Sequence, residues 1–368
     1  MADLRILLIA DTHLGFDLPQ RPRVERRRRG PDFFANFERA LEPARCGEVD
    51  LVVHGGDLLF RSKVRRELVY RAFEPLAKVA ATGVPVVLVP GNHERSAIPF
   101  PLLAAHEGIH VLDRPRTVRL EAGGSEVLVA GFPNERSHVR ERFPRLVRDT
   151  ASLETPSGIR LLCIHQTVEG ARVGPVGFTF RRGSDVIRGA DIPPGFAAVL
   201  AGHIHRRQVL TADLAGRPLA APVLYPGSIE RTSHAERNEP KGYMVLEIRR
   251  TRDGGRVERW DFHELPSRPM IDLALDVEGL GPRELTERLR ALLGSADPDS
   301  VVRLETRGRI EPEAARILRA ERLRVLAPAT MTLTLAGSAR NRSGWIREKS
   351  PGAKNDLRPA RPPVKRSD

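Results

Sequence analysis

Thiols are nearly absent from this chain. Its 368 residues contain two cysteines, Cys46 and Cys163. Two thiols cannot build the disulfide framework of a small secreted domain, and the chain reads as a product of a reducing compartment, the cytoplasm. Cys163 lies inside an apolar strand, where its role is packing. No stretch approaches the roughly 20 consecutive apolar residues that a helix needs to cross a bilayer, so no membrane association is expected. The start, Met1-Ala2-Asp3-Leu4, lacks the basic n-region of a secretory leader and feeds directly into a strand, which reads as no signal peptide. No internal repeat is evident, which sets aside solenoids. Apolar residues make up 40% of the chain, ordinary for a globular protein. The length holds one large domain and a small one.

Positive charge is abundant and concentrated. The formal net charge is +13. Arg21, Arg23, Arg26, Arg27, Arg28 and Arg29, offset by Glu25, put +5 into residues 21–29, and residues 337–368 add +6 from nine basic and three acidic side chains. Two such segments imply a polyanionic partner, most simply nucleic acid. Apolar content falls away after residue 336 while Pro, Lys and Arg dominate, so 337–368 is expected to be a basic, disordered tail.

Helical spacing of Phe33, Phe34, Phe37 and Leu41 predicts a helix over 32–46, and a second amphipathic helix is expected over 64–81. With strands before, between and after them, the first ninety residues alternate strand and helix, which predicts an α/β layered sheet. Short strands are expected near Val111, Val118 and 127–129, and a charged surface helix over 137–151. Residues 167–194 read as a long glycine-rich loop, and long loops in compact domains are often functional. Strands are expected over 209–213, 223–225, 243–248 and 257–262. A composition change near 265–269 marks a boundary. Beyond it, 270–277, 282–293, 301–305, 312–318 and 331–335 read as strand, helix, strand, helix, strand.

Five apolar strands end in metal-type residues. Residues 6–10 run into Asp11-Thr12-His13. Leu51-Val52-Val53-His54 runs through Gly55-Gly56 to Asp57. Residues 86–89 run into Pro90-Gly91-Asn92-His93-Glu94, 159–164 into His165, and 197–201 into Gly202-His203-Ile204-His205. Ligands of α/β proteins collect beyond the carboxyl ends of strands, so these side chains are expected to converge. His203 and His205 can each serve a different ion, and the two oxygens of Asp57 suit a bridging role. Imidazole, carboxylate and amide ligands without thiolate suit Mn²⁺, Fe²⁺ or Zn²⁺ better than Ca²⁺ or Mg²⁺. Two such ions about 3.5–4 Å apart can activate water against a phosphoryl group.

This ordered set resembles the calcineurin-like metallophosphoesterase superfamily over roughly residues 4–248. The resemblance implies a layered α/β metallophosphoesterase sandwich of mixed β-sheets flanked by helices over residues 1–264, with a small α+β cap over 265–336. It implies that Asp11, His13, Asp57 and His205 hold one metal, that Asp57, Asn92, His165 and His203 hold the other, and that His93 is catalytic. Finer features are similar to the SbcD-like DNA exonuclease group: Ala10-Asp11-Thr12-His13-Leu14-Gly15, Asp32-Phe33-Phe34, Tyr225-Pro226-Gly227-Ser228-Ile229-Glu230-Arg231 and Lys241-Gly242-Tyr243. What this implies is Mn²⁺-dependent cleavage of DNA phosphodiesters alongside an SMC-like ATPase. The partners that go with this reading are DNA, that ATPase and a second copy of the chain. Two alternatives stay open, a phosphodiesterase acting on nucleotides or small diesters and a non-catalytic DNA-binding subunit. Arg61, Arg181, Arg182 and Arg231 are candidate contacts to backbone phosphate. His54 reads as a packed histidine that orients a ligand. His106, His110, His138, His234 and His263 read as structural or solvated.

Overall fold

Strand Leu4–Ile9 shows how the sandwich is built. Side chains alternate across a strand, and here both faces are buried: Leu4, Ile6 and Leu8 join one core while Leu7 and Ile9 join another. That explains the uninterrupted apolar runs. The structure, a computed structural model, describes residues 3–18, 29–154, 158–252 and 254–336.

Two six-stranded sheets make up the body. The first has the order Arg256–Glu264, Gly242–Arg249, Leu4–Ile9, Leu51–His54, Val86–Leu88, Ile109–Val111. Its last four strands are parallel and its first two antiparallel to their neighbours. The second has the order Gln208–Ala212, Pro218–Tyr225, Ala198–Gly202, Ile159–His165, Ser125–Phe132, Arg116–Ala122. Its four central strands are parallel.

The sheets pack face to face through Ile6, Val53 and Val87 on one side and Val129, Leu161 and Leu200 on the other. Helices Gly30–Ala40 and Arg66–Ala81 cover the outer face of the first sheet with Phe33, Phe37, Val69 and Leu76. Helix Val139–Asp149 covers the second with Phe143 and Leu146. The result is a helix–sheet–sheet–helix sandwich, the fold class expected from the sequence.

Three local expectations are corrected. The helix expected over 32–46 stops at Ala40, and a four-residue turn, Glu42–Arg45, follows. Pro43 has no N–H to continue the ladder. Residues 167–194 are not a bare loop. Thr167–Val168 pairs with Val186–Ile187, and Arg172–Val173 pairs with Phe178–Thr179. The buried Tyr225 hydroxyl pins this segment to the second sheet by accepting from the Val168 N–H and donating to the Gln166 carbonyl. The third correction lies beyond the body.

Residues 270–335 form a separate three-stranded parallel sheet, Met270–Asp276, Val301–Arg307 and Thr332–Leu335. Helices Pro282–Gly294 and Ala320–Leu326 cover it, with Leu285, Leu289, Leu304, Leu318 and Leu323 in its core. The helix expected over 312–318 is only a single 3₁₀ turn, Ala314–Arg316. Arg319 is extended and splits the segment, which lets both Leu318 and Leu323 reach the same core. Packing overrides propensity there.

The cap is tied to the body by polar contacts. The Asn36 amide donates to the Ile229 and Pro266 carbonyls, and the Arg231 guanidinium donates to the Arg268 carbonyl. Residues 337–368, and the basic segment up to Arg28, lie outside the described residues. Arg29 is buried and pairs with Glu230 at 3.1 Å over the rings of Phe16 and Phe33, so its charge is not offered to a polyanion.

Phe37 is fully buried between helix Gly30–Ala40 and the first sheet, with its ring centroid 6.4 Å from that of His54. Phe37→Ala is expected to cost about 3–5 kcal/mol of unfolding free energy in urea titration. A loss under about 1 kcal/mol would show that the site's floor does not depend on this layer.

Candidate metal centre

The eight candidate ligand and catalytic residues meet where the carboxyl ends of the two sheets face each other. Asp11 and His13 follow Leu4–Ile9, Asp57 follows Leu51–His54, and Asn92 and His93 follow Val86–Leu88, all in the first sheet. His165 ends Ile159–His165, and His203 and His205 follow Ala198–Gly202, all in the second. The carboxyl ends that deliver the ligands therefore belong to two sheets, so the sandwich itself assembles the site.

Backbone geometry holds the loops under strain. Asp11, His13, Asp57 and His203 all have positive φ, at 51°, 44°, 52° and 88°. Such conformations in non-glycine residues cost of order 1–3 kcal/mol each and cluster at functional sites. Loop hydrogen bonds hold them in place: Asp11 N to Gly56 O, His13 N to Asp57 O and Leu14 N to Leu58 O. Glycine supplies the room. A Cβ on Gly202 would lie 2.2 Å from the Gly55 carbonyl oxygen, so only glycine lets the two sheets' loops touch.

Ligand atoms face one another at contact distance. Nε2 of His13 lies 2.9 Å from Nε2 of His205. The Asn92 Oδ1 lies 2.8 Å from Nδ1 of His203 and 3.0 Å from Nε2 of His165, and the latter lies 3.3 Å from Oδ2 of Asp57. The ligand atoms of Asp11, His13 and His205 lie within 4.8 Å of one another, as do those of His13, Asp57 and His93 and those of Asp11, Asp57 and His165.

Several protons are fixed by the surroundings. Nδ1 of His165 faces the Gly55 carbonyl at 2.7 Å, and Nδ1 of His205 faces the Glu236 carboxylate at 3.2 Å. Carbonyl and carboxylate oxygens only accept, so both Nδ1 atoms carry hydrogen and both Nε2 atoms face the cluster. In a neutral ring each of these Nε2 atoms presents a lone pair to the cluster, and the donor set of imidazole, carboxylate and amide fits divalent metals of the Mn, Fe or Zn type.

The titration behaviour agrees. Burial alone would raise the Asp57 carboxyl, but the charge and hydrogen bond of His165, with His13 and His93, hold it well below the usual carboxylate range. Burial alone would lower His165, yet Asp57 lifts it to about 9. A proton there occupies the place of a cation. Burial pushes His13 well below its ordinary value and His203 down to about 3, with neighbouring imidazoles adding to the shift. Both stay neutral, the form that binds metal.

Second-layer residues complete the frame. The buried Glu94 accepts from the N–H groups of Gly91 and Leu59 at 2.8 and 2.7 Å, tying the loop of Asn92 to the loop of Asp57. Burial, with Asp57 nearby, raises Glu94 to about 8. Asn134 donates to the His165 carbonyl. His54 is fully buried, accepts at Nδ1 from the Gly56 N–H and pairs with the Thr12 hydroxyl. It braces the loop, as a packed orienting histidine should. Lys241 is fully buried, with Nζ 2.9 Å from the His205 carbonyl and 2.7 Å from Glu236. Nothing in the sequence reading pointed to Asn134 or Glu236 as parts of the site, and Glu94 was quoted in a motif without a role. Glu94 lay beside Asn92 and His93, and Lys241 sat in a quoted motif, but neither position reveals what its side chain reaches.

The four candidate phosphate-binding arginines separate. Arg61 stacks over the Phe60 ring, and Arg61, Arg181 and Arg182 are exposed. Arg231 is buried, and its guanidinium donates to the carbonyls of Glu239 and Arg268. Its donors serve the joint between body and cap, which corrects the expectation of a phosphate contact.

A calcineurin-like phosphoesterase family model matches residues 4–207, more than half of the chain. The chain belongs to the calcineurin-like phosphoesterase family and is a metal-dependent phosphoesterase, a hydrolase of phosphate esters. Within the family it is similar to proteins named DNA double-strand break repair protein Mre11. That of Thermoplasma acidophilum is 25% identical over 315 residues, covering 83% of this chain and 77% of that protein. That of Haloferax volcanii is 29% identical over 310 residues, covering 83% and 61%. That of Methanosarcina acetivorans is 26% identical over 283 residues, covering 75% and 41%. The chain thus spans less than two thirds of the latter two. Among the described residues, no helix is long and apolar enough to cross a membrane.

Gly91 provides a direct test of the cluster. A Cβ there would sit 2.1 Å from Oδ1 of Asp57. Gly91→Ala is expected to displace that carboxylate and weaken Mn²⁺ binding by tenfold or more, on the order seen when a ligand's support is removed. Calorimetric titration of the metal-free protein measures this. A wild-type isotherm would rule out Asp57 as a ligand.

Proposed function

We propose that this protein is a two-metal-dependent DNA nuclease, an exonuclease acting in double-strand-break repair together with an SMC-like ATPase. The observation that carries this reading is the cluster of Asp11, His13, Asp57, Asn92, His165, His203 and His205, set between two sheets with His93 beside it. The similarity to proteins named for double-strand break repair supports DNA as substrate. The basic segments 21–29 and 337–368 support it through charge.

In this reading Asp11, His13, Asp57 and His205 hold one divalent ion and Asp57, Asn92, His165 and His203 the other, most simply Mn²⁺. When bound, such a pair supplies a nucleophile at neutral pH and offsets charge on the phosphate. The chain's own residues do the rest. Asp57 accepts the His93 N–H at 2.9 Å through Oδ1 and faces His165 through Oδ2, so one carboxylate positions both sides. The His93 ring is fixed by its Nδ1, which donates to the Phe60 carbonyl at 2.9 Å. Its Nε2 is left 4.0 Å from Oδ2 of Asp57, and its side chain is 35% exposed. A ring so held can contact the scissile phosphate and pass a proton to the leaving oxygen. Exposed Arg61, Arg181 and Arg182 are the proposed contacts to backbone phosphates. A homodimer belongs to the same proposal.

Manganese-loaded protein should cleave linear double-stranded or single-stranded DNA as well as a chromogenic phosphodiester. Turnover of the small diester with neither DNA cut would replace this reading with a small-molecule phosphodiesterase.

His93→Gln should keep its metals yet lose turnover on the order of 10²-fold or more. Metal content and rate are measured on the same preparation. Loss of metal, or a near-normal rate, would remove His93 from the catalytic role.

Deletion of residues 337–368 removes a net +6. If those charges contact DNA, log affinity against log salt should flatten by about 2–4 units, since each phosphate contact adds roughly 0.7–0.9. Small-diester turnover should hardly change. An unchanged slope would mean that the tail does not touch DNA and serves a protein partner instead.

A further inference from the structure

A short segment of the body has contacts in two directions. Residues 232–237 contain one 3₁₀ turn, His234–Glu236, in which no residue is buried. Apolar packing therefore does not set where this turn sits. Its polar side chains do.

One set reaches the metal centre. Glu236 Oε1 accepts from Nδ1 of His205 at 3.2 Å and from the Thr232 hydroxyl at 2.9 Å. Its Oε2 receives Lys241 Nζ at 2.7 Å. Lys241 in turn donates to the His205 carbonyl at 2.9 Å. The ring and the backbone of one candidate ligand are thus both held by the Glu236–Lys241 pair. A carboxylate on the far nitrogen fixes a histidine's tautomer and ring orientation and raises its basicity as a ligand.

The other set reaches the cap. Nε2 of His234 lies 3.0 Å from Oδ1 of Asp272, and Nε of Arg237 lies 3.5 Å from Oδ2. Asp272 stands on the cap strand Met270–Asp276, where Arg303 of the neighbouring strand also holds it at 2.6 Å. Within four consecutive residues, then, Arg237 pairs with the cap and His234 abuts it, while Glu236 grips His205.

We infer that Glu236 is a positioning residue for His205 and that the cap governs that position through Asp272. The inference rests on reading the cluster as a metal centre, not on the nature of the substrate. Movement of the cap strand carries Asp272 away from His234 and Arg237. The turn then loses its outer anchor, Glu236 is held only by Thr232 and Lys241, and it fixes the ring of His205 less firmly. Cap position is converted in this way into affinity for the ion that His205 shares with Asp11 and His13.

The test uses the full chain, freed of metal and titrated calorimetrically with Mn²⁺ alone. Glu236→Ala should weaken one of the two bound ions by about ten- to a hundredfold, the usual effect of removing a partner behind a ligand. Glu236→Gln, which keeps an acceptor oxygen, should recover part of that loss. Asp272→Ala should weaken the same ion by about three- to fivefold, the size that a part-exposed ion pair carries. The double variant should be no worse than Glu236→Ala, because both act along one path. Glu284→Ala breaks a pair on the exposed face of the cap helix and should leave both ions unaffected. Circular dichroism establishes that each variant is folded. Folded Glu236 variants with wild-type isotherms overturn the inference, and a folded Asp272→Ala with a wild-type isotherm overturns control by the cap. DNA is absent from the experiment, so failure of the nuclease reading leaves this result standing, and the reverse holds too.

Discussion

Everything in the site is arranged around the carboxylate of Asp57. Its Oδ1 accepts the His93 N–H, its Oδ2 faces His165, and it lies against Gly91, where a methyl group would overlap it. Its backbone is held at positive φ. A buried negative charge in such a position is costly unless positive charge lies beside it. The imidazoles around it supply some, and His165 carries a proton readily for that reason. The ring nitrogens of His13, His203 and His205 and the amide oxygen of Asn92 converge on one another beside it. Divalent ions suit both the charge and the convergence.

Such a cluster survives only on a rigid platform. The left-handed ligand residues oppose folding, so the energy holding them comes from elsewhere. It comes from the inner core of Ile6, Val53, Val87, Val129, Leu161 and Leu200 and from the outer helices. Sheet-to-sheet packing brings Gly55 against Gly202, which sets how near His203 and His205 come to Asp11 and Asp57. A ring of buried polar groups then locks the loops: Glu94 between two loops of the first sheet, Lys241 under His205, and Tyr225 under the segment after His165. Interiors of this density have few continuous deformations.

The convergence of the candidate ligands was legible in the sequence because each ends an apolar run at a fixed place. The run implies a strand, and a strand's carboxyl end implies the site. Body helices and strands were legible for the same reason of periodicity, as were the first cap helix and the cap strands. What was hidden depends on long-range contact. Glu236 looks like an ordinary surface acid until the fold puts His205 beside it, and Glu94, though it ends a quoted motif, gives no sign that it reaches the Leu59 N–H. Arg231 looked like a free arginine, but the turn after Ile229 directs it at carbonyls of the joint. In the cap, the helical spacing of Ala314 and Leu318 gave no hint that Arg319 would be extended and let Leu323 share the same core.

The distribution of charge sets an order of events. The chain is strongly basic, but much of that charge lies in residues 21–29 and 337–368. The centre is built differently, from buried groups paired with one another. Asp11 and Asp57 lie at its floor against His165, which Asp57 lifts to about 9, Glu94 behind them is raised to about 8 by burial, and the buried Lys241 is paired with Glu236. His13 and His203 are neutral there. A phosphodiester approaching this floor alone meets the Asp11 and Asp57 carboxylates, offset in part by His165, in a poorly screened pocket where each charge acts more strongly than in water. The floor must be neutralised from within before phosphate can settle on it. The same residues that make the centre hostile to phosphate make it a good host for divalent ions.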